Sequence, residues 1–152
     1  MMLDGQGTEQ EWLMDFGDRY EEMEPTKVLL AEDDDELREL IAVALRREGY
    51  AVFEVDNGDQ LVRYIHRMQG GVEPEEDIDL VISDVCLPGR SGLEALERLR
   101  ERDGSLPVIL MTAFPTPEVR EAVERAGTAV LFDKPFQIED LCTAANYFAA
   151  SH

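Results

Sequence analysis

From residue 27 onward, short apolar runs alternate with stripes at helical spacing. Residues 28–31 (Val-Leu-Leu-Ala) form a continuous apolar run of buried-strand length. Leu37, Leu40, Ile41, Ala44 and Leu45 then recur at helical intervals, which predicts a helix that Gly49 ends. Residues 51–55 predict the next strand, closed by Asn57-Gly58. Leu61, Val62 and Ile65 mark a second helix that fades by Gly70-Gly71, followed by a polar acidic loop. Residues 80–83 predict a third strand running into Asp84, and Leu93, Leu96 and Leu99 a third helix. Residues 108–111 predict the fourth strand. Val119, Ala122, Val123 and Ala126 line a fourth helix stopped by Gly127. Residues 129–132 predict the fifth strand, and Ile138, Leu141, Ala145 and Phe148 the closing helix. Five strand–helix units in series imply an α/β fold, a doubly wound five-stranded parallel sheet with helices on both faces. Strands apolar throughout suit burial on two sides. Right-handed crossovers favour the order 2-1-3-4-5.

Composition narrows the function. The chain has 152 residues, 34 acids against 14 bases, and a formal net charge of -20. Such a balance argues against direct nucleic-acid binding, which needs clustered Lys and Arg, and against adhesion to anionic membranes. The longest apolar runs, such as 80–82 and 108–111, are too short to span a bilayer, and the N-terminus lacks a signal-peptide layout. Cys86 and Cys142 form no CxxC pair and no disulfide framework, so a cytoplasmic location is expected. Residues 1–26 stand apart from 27–152. They hold eight acids and a single base, Arg19. The composition predicts a disordered acidic arm. The spacing of Trp12, Leu13 and Phe16 offers a short amphipathic helix instead, suited to docking on a partner or on a second copy in a homodimer.

In a doubly wound sheet, ligands bind beyond the carboxyl ends of the strands. Those positions hold Glu32, Asp33, Asp34 and Asp35 after strand one, and Asp84 after strand three. Thr112 follows strand four, and Asp133 and Lys134 follow strand five. The strand order brings Glu32, Asp33 and Asp84 to one rim. Three carboxylates together repel one another, and a divalent cation relieves that repulsion. Mg²⁺ takes oxygen ligands and is commonly held by one or two carboxylates plus a phosphate. Aspartate also serves as a nucleophile that forms an aspartyl-phosphate. Lys134 balances the charge, and the Thr112 hydroxyl supplies a hydrogen bond. Each residue taken singly has a plainer use. Residues 32–35 suit a helix N-terminus, where Asp33 and Glu36 have capping-box spacing. Asp84 suits a turn before Leu87-Pro88-Gly89, Thr112 a strand end, and Lys134 a solvated surface. Together, at the ends of four strands, they point to a site.

The segments VLLAEDD at 28–34, LVISDVCLPGRSG at 80–92, VILMTA at 108–113 and DKPF at 133–136 resemble the receiver domain of two-component response regulators, with its flavodoxin-like (βα)5 fold. The resemblance runs from Lys27 to about Ala149 and implies a single-domain receiver. It implies that Asp84 is the phosphoacceptor and that Glu32, Asp33 and the backbone carbonyl of Cys86 join it around Mg²⁺. Asp33 is the more direct ligand of the acidic pair. It implies that Thr112 is the switch hydroxyl, that Lys134 is the charge-balancing lysine, and that the Lys134–Pro135 bond is cis. Leu131 stands at the switch position where the family often has Tyr or Phe. Cys86 and Phe114 fall at places that tune the lifetime of the phosphate. The implied donor is a histidine kinase or a histidine phosphotransfer protein. The implied output is a protein target bound by helix four, strand five and helix five. The loop 68–79 is longer and more acidic than the family pattern, and the arm before Lys27 lies outside it.

Other functions weigh less. A phosphorylation-independent interaction module on the same fold would suit Leu131 and the acidic arm, but the full set of site residues argues against it. An aspartyl phosphatase carries a second acid two residues after its nucleophile, where this chain has Cys86. A flavin site lacks its phosphate loop after strand one. Ser151-His152 follow the last helix closely, which is expected of a stand-alone receiver or of one cut from a longer protein.

Overall fold

The computed structural model describes residues 24–69, 77–101 and 103–151. Five strands alternate with five helices: β1 Lys27–Ala31, α1 Asp35–Arg47, β2 Ala51–Val55, α2 Gly58–Gln69, β3 Leu80–Asp84, α3 Gly92–Arg100, β4 Val108–Thr112, α4 Pro117–Arg125, β5 Ala129–Asp133 and α5 Ile138–Ala150. All pair in parallel in the order β2-β1-β3-β4-β5, as the alternation predicts. The register sets Ala31 beside Ser83, Asp84 beside Met111 and Thr112 beside Asp133. The carboxyl ends of four strands are thereby levelled into one rim.

Successive strand side chains point to opposite faces, and the core divides accordingly. Leu29, Val81, Val108 and Leu110 pack with Leu61, Leu96, Leu99 and Val123 from α2, α3 and α4. Val28, Leu30, Ile82, Ile109 and Met111 pack with Ile41, Leu45, Leu141 and Phe148 from α1 and α5. β1, β3 and β4 are buried on both sides, so their sequences are almost wholly apolar. The edge strand β2 departs from the all-apolar expectation. Its Glu54 lies beside α1 and accepts ion pairs from Arg38 and Arg46.

Two local readings are corrected. The cap of α1 is Asp34, not Asp33: its side chain accepts from the amides of Glu36 and Leu37, which leaves Asp33 unused by the helix. Leu40 is 59% exposed, because the buried stripe of α1 runs through Ile41, Ala42 and Leu45 and turns Leu40 outward. Pro117 is the first residue of α4: Thr116 caps the helix, and a proline at that position gives up no needed N–H. Gly49 does close α1, with φ +99 in the left-handed region just past the helix. At the opposite edge of the sheet, Arg100 donates to the carbonyls of Ala126, Asp103, Leu106 and Thr128, tying α3 to the turns before β4 and β5. Burial lowers its pKa, and Asp103 opposes that shift. The readings made for Trp12, Leu13 and Phe16, and for the acidic stretch 70–76, lie outside the described residues. Among the described residues, no helix is long and apolar enough to cross a membrane.

Candidate phosphoacceptor and cation site

The site is built from the first residues past the strands. Glu32 follows β1, and its amide donates to the Val55 carbonyl at 3.2 Å, which continues the ladder. Its side chain turns inward and is wholly buried. One carboxylate oxygen accepts from the Asp34 amide at 3.0 Å and the other from Lys134 Nζ at 2.8 Å. Asp84 ends β3 at 5% exposure. Its Oδ1 accepts from the Cys86 amide at 2.8 Å, and its Oδ2 accepts from Lys134 Nζ at 2.5 Å. Asp33 is exposed at the mouth. Carboxylate oxygens of Glu32, Asp33 and Asp84 all lie within 4.8 Å of one another. The Lys134–Pro135 bond is cis.

Burial dominates the electrostatics. It raises the Glu32 pKa, against the opposing pull of the Lys134 bond and the Asp34 amide. Burial also pulls the Lys134 ammonium down, but its bonds to Asp84 and Glu32 outweigh this and leave its pKa raised. One ammonium among three carboxylates leaves an excess of negative charge. The donors are hard oxygens, with no imidazole or thiolate among them. This set fits Mg²⁺, a hard cation that keeps several waters.

The remaining candidates sit around this centre. Thr112 is fully buried; its carbonyl accepts from the Lys134 amide at 2.7 Å and its hydroxyl accepts from the Phe114 amide at 3.0 Å. The Phe114 ring is 70% exposed. Cys86 is exposed, one residue into the loop 85–91. Leu131 packs at the margin of the α2–α3–α4 core, and Phe132 on the opposite face meets Phe136 edge-on at 5.6 Å. One contributor was missed from sequence. Arg38 donates to the Glu32 carbonyl at 2.8 Å and also binds Asp35 and Glu54, clamping the turn that presents Glu32 and Asp33. Its position one turn after the acidic run was the only signal, and a surface arginine on a helix is too common to stand out.

The response regulator receiver domain family matches residues 28–146. The chain is 30% identical over 122 residues to sporulation initiation phosphotransferase F of Bacillus subtilis, covering 80% of this chain and 92% of that one. It is 31% identical over 115 residues to the response regulator receiver protein CpdR of Brucella abortus, covering 76% and 89%. It spans half or less of other curated relatives that it matches, at 47%, 28% and 49% of their lengths. The fold is shared with the chemotaxis protein CheY4 of Vibrio cholerae, with a TM-score of 0.69 at 23% identity, covering 82% of this chain and 99% of that one. The apolar parallel sheet, the acidic rim and this match together place the chain in the response regulator receiver domain family.

Proposed function

We propose that residues 27–152 form a receiver that takes a phosphoryl group from a phosphohistidine onto Asp84. The residues 1–26 form an acidic arm preceding it. The observation that supports this reading most is the meeting of Glu32, Asp33 and Asp84 within 4.8 Å, with the Lys134 ammonium paired to Glu32 and Asp84. A carboxylate oxygen of Asp84 attacks phosphorus, the P–N bond to the donor imidazole breaks, and the imidazole leaves with its electron pair. The Cys86 amide, already on Oδ1, orients the carboxylate and leaves Oδ2 as its other oxygen. Lys134 holds that oxygen at rest and neutralises the charge of the product. Glu32, Asp33, Asp84 and the Cys86 carbonyl would hold Mg²⁺, which supplies charge neutralisation to the transferring phosphoryl group.

The same residues read out the event. A phosphoryl oxygen recruits the Thr112 hydroxyl away from the Phe114 amide, and the turn after β4 follows. Leu131 on β5 fills the adjoining position with an aliphatic side chain. The α4–β5–α5 surface then changes its affinity for a protein target. The exposed Phe114 ring and Cys86 flank the mouth and set how fast water reaches the phosphate. The donor is a histidine kinase or phosphotransfer protein, and the setting is cytoplasmic.

Intact mass measured after incubation with acetyl phosphate tests the reading. Wild type with Mg²⁺ gains one phosphoryl group, while Asp84→Asn, or wild type with the metal chelated, gains none. A folded wild type that gains nothing contradicts it and returns weight to a phosphorylation-independent interaction module.

A further inference from the structure

The loop 85–91 carries Cys86, whose amide holds Asp84 and whose carbonyl is assigned to the cation. The first residue of that loop is tied to the sheet, the Val85 amide donating to the Met111 carbonyl at 2.8 Å, but the stretch from Pro88 to Arg90 lies beyond that bond. Its support comes from the neighbouring α2. The Gly58 amide, at the first position of α2, donates to the Pro88 carbonyl at 2.8 Å. The backbone of Arg90 lies directly on Gly58: a Cβ there would stand 1.6 Å from the Arg90 carbonyl oxygen and 2.6 Å from its nitrogen. These are backbone atoms, which no rotamer change moves aside. Asp59 continues the cradle. Its Oδ1 pairs with Arg90 Nε at 3.3 Å, and a Cβ on Gly89 would stand 2.6 Å from its Oδ2. Asn57 fixes this end of α2 by accepting from the Gln60 amide at 2.8 Å. At its far end the loop closes on itself, the Gly92 amide donating to the Val85 carbonyl at 2.9 Å.

We infer that Gly58 and Asp59, at the start of α2, are positioning residues for the cation site, acting through the 85–91 loop that they seat. Neither touches the reacting atoms. Gly58 is a glycine because the seat is filled by backbone, and an alanine there displaces the loop and with it the Cys86 amide and carbonyl. At the start of a helix, glycine to alanine would otherwise raise stability by restricting the unfolded chain. A loss of metal affinity therefore does not follow from helix propensity.

This inference rests on the proposed cation site. It is tested by titrating Mg²⁺ calorimetrically into wild type, Gly58→Ala and Asp59→Ala, with the Mg²⁺ dependence of labelling by acetyl phosphate measured in parallel. Gly58→Ala is expected to weaken Mg²⁺ binding about tenfold and Asp59→Ala about twofold. Half-saturating Mg²⁺ in the labelling assay shifts by the same factors, and raised Mg²⁺ restores the labelling plateau. That split distinguishes positioning from a merely structural role, which would lower the melting temperature and leave the half-saturation point in place. Unchanged Mg²⁺ affinity in a folded Gly58→Ala overturns the inference. If that variant fails to fold, unchanged affinity in Asp59→Ala overturns it equally. A wild type that binds no Mg²⁺ contradicts the reading of the site itself, a result separable from either variant's.

Discussion

Two residues separate the most apolar part of this molecule from its most charged. Leu30, Ile82 and Ile109 lie side by side in the sheet, with essentially no exposure. Two positions along the first two of these strands stand Glu32 and Asp84, and three along the third stands Thr112, with Glu32 and Thr112 as buried as the leucines. The inner layer gains free energy from every methylene removed from water. The rim loses free energy, because carboxylates are held near one another out of water and only Lys134 compensates two of them. The rigid layer lets the costly one exist. A rim held this way is poised to respond to an added cation or phosphoryl group.

The comparison is broken most severely from the apolar side. Ile82→Ala should lower stability by about 2–5 kcal/mol, through lost burial plus the cavity left between β3 and the α1–α5 face. Chemical denaturation should show the loss. The Mg²⁺ response of the protein that remains folded should be unchanged. An altered response would mean that the two layers are not separable.

Lys134→Met comes next. It leaves Glu32 and Asp84 without their shared cation and should cost roughly 2–3 kcal/mol at neutral pH. The cost should shrink as Mg²⁺ is added, because the cation takes over the role of the ammonium. A variant destabilised equally with and without Mg²⁺ would place the carboxylates too far from the metal to be relieved by it. The account also predicts that wild type loses the Lys134 contribution in alkali. Its pKa is raised on folding, so the contribution is complete below about 10.4, the ordinary lysine value, and disappears as pH climbs through the higher folded value.

The smallest effect lies far from the rim. The amide and hydroxyl of Ser105 hold the Asp103 carboxyl below the usual range, helped by the Leu106 amide and Arg100 and opposed by partial burial. A lowered pKa contributes stability above about 3.9, the ordinary aspartate value, that is lost as pH falls through the folded value. The melting-temperature gap between wild type and Asp103→Asn should therefore narrow in acid. A gap that is constant from neutral to acid pH would assign the loss to geometry instead of charge.

What was legible in the sequence follows from the same division. The strands were readable because two-sided burial leaves almost no polar residue in β1, β3 and β4. The strand order followed from the handedness of the crossovers. The site was readable because strand ends converge in this topology, so Glu32, Asp33, Asp84, Thr112 and Lys134 could be gathered without coordinates. What was not legible depends on the directions of side chains. Three consecutive aspartates follow Glu32, and periodicity alone does not say that Asp34 caps α1 and frees Asp33 for the mouth. Leu40 has the right spacing for a buried stripe, yet the helix is rotated so that Ile41, Ala42 and Leu45 face the sheet. Arg38 and Gly58 act across the fold, one through the Glu32 carbonyl and the other through the Arg90 backbone. Neither residue type marks such a contact in advance.

The most direct test of the central claim is the melting temperature of wild type against Mg²⁺ concentration at neutral pH, with Asp84→Asn measured beside it. A cation seated among Glu32, Asp33 and Asp84 binds only the folded chain, so stability should rise with concentration, by about 2.7 kcal/mol at a hundred times the dissociation constant. The rise should be smaller in Asp84→Asn, which lacks one anionic ligand. A flat curve in wild type, or an identical rise in the variant, would contradict the account.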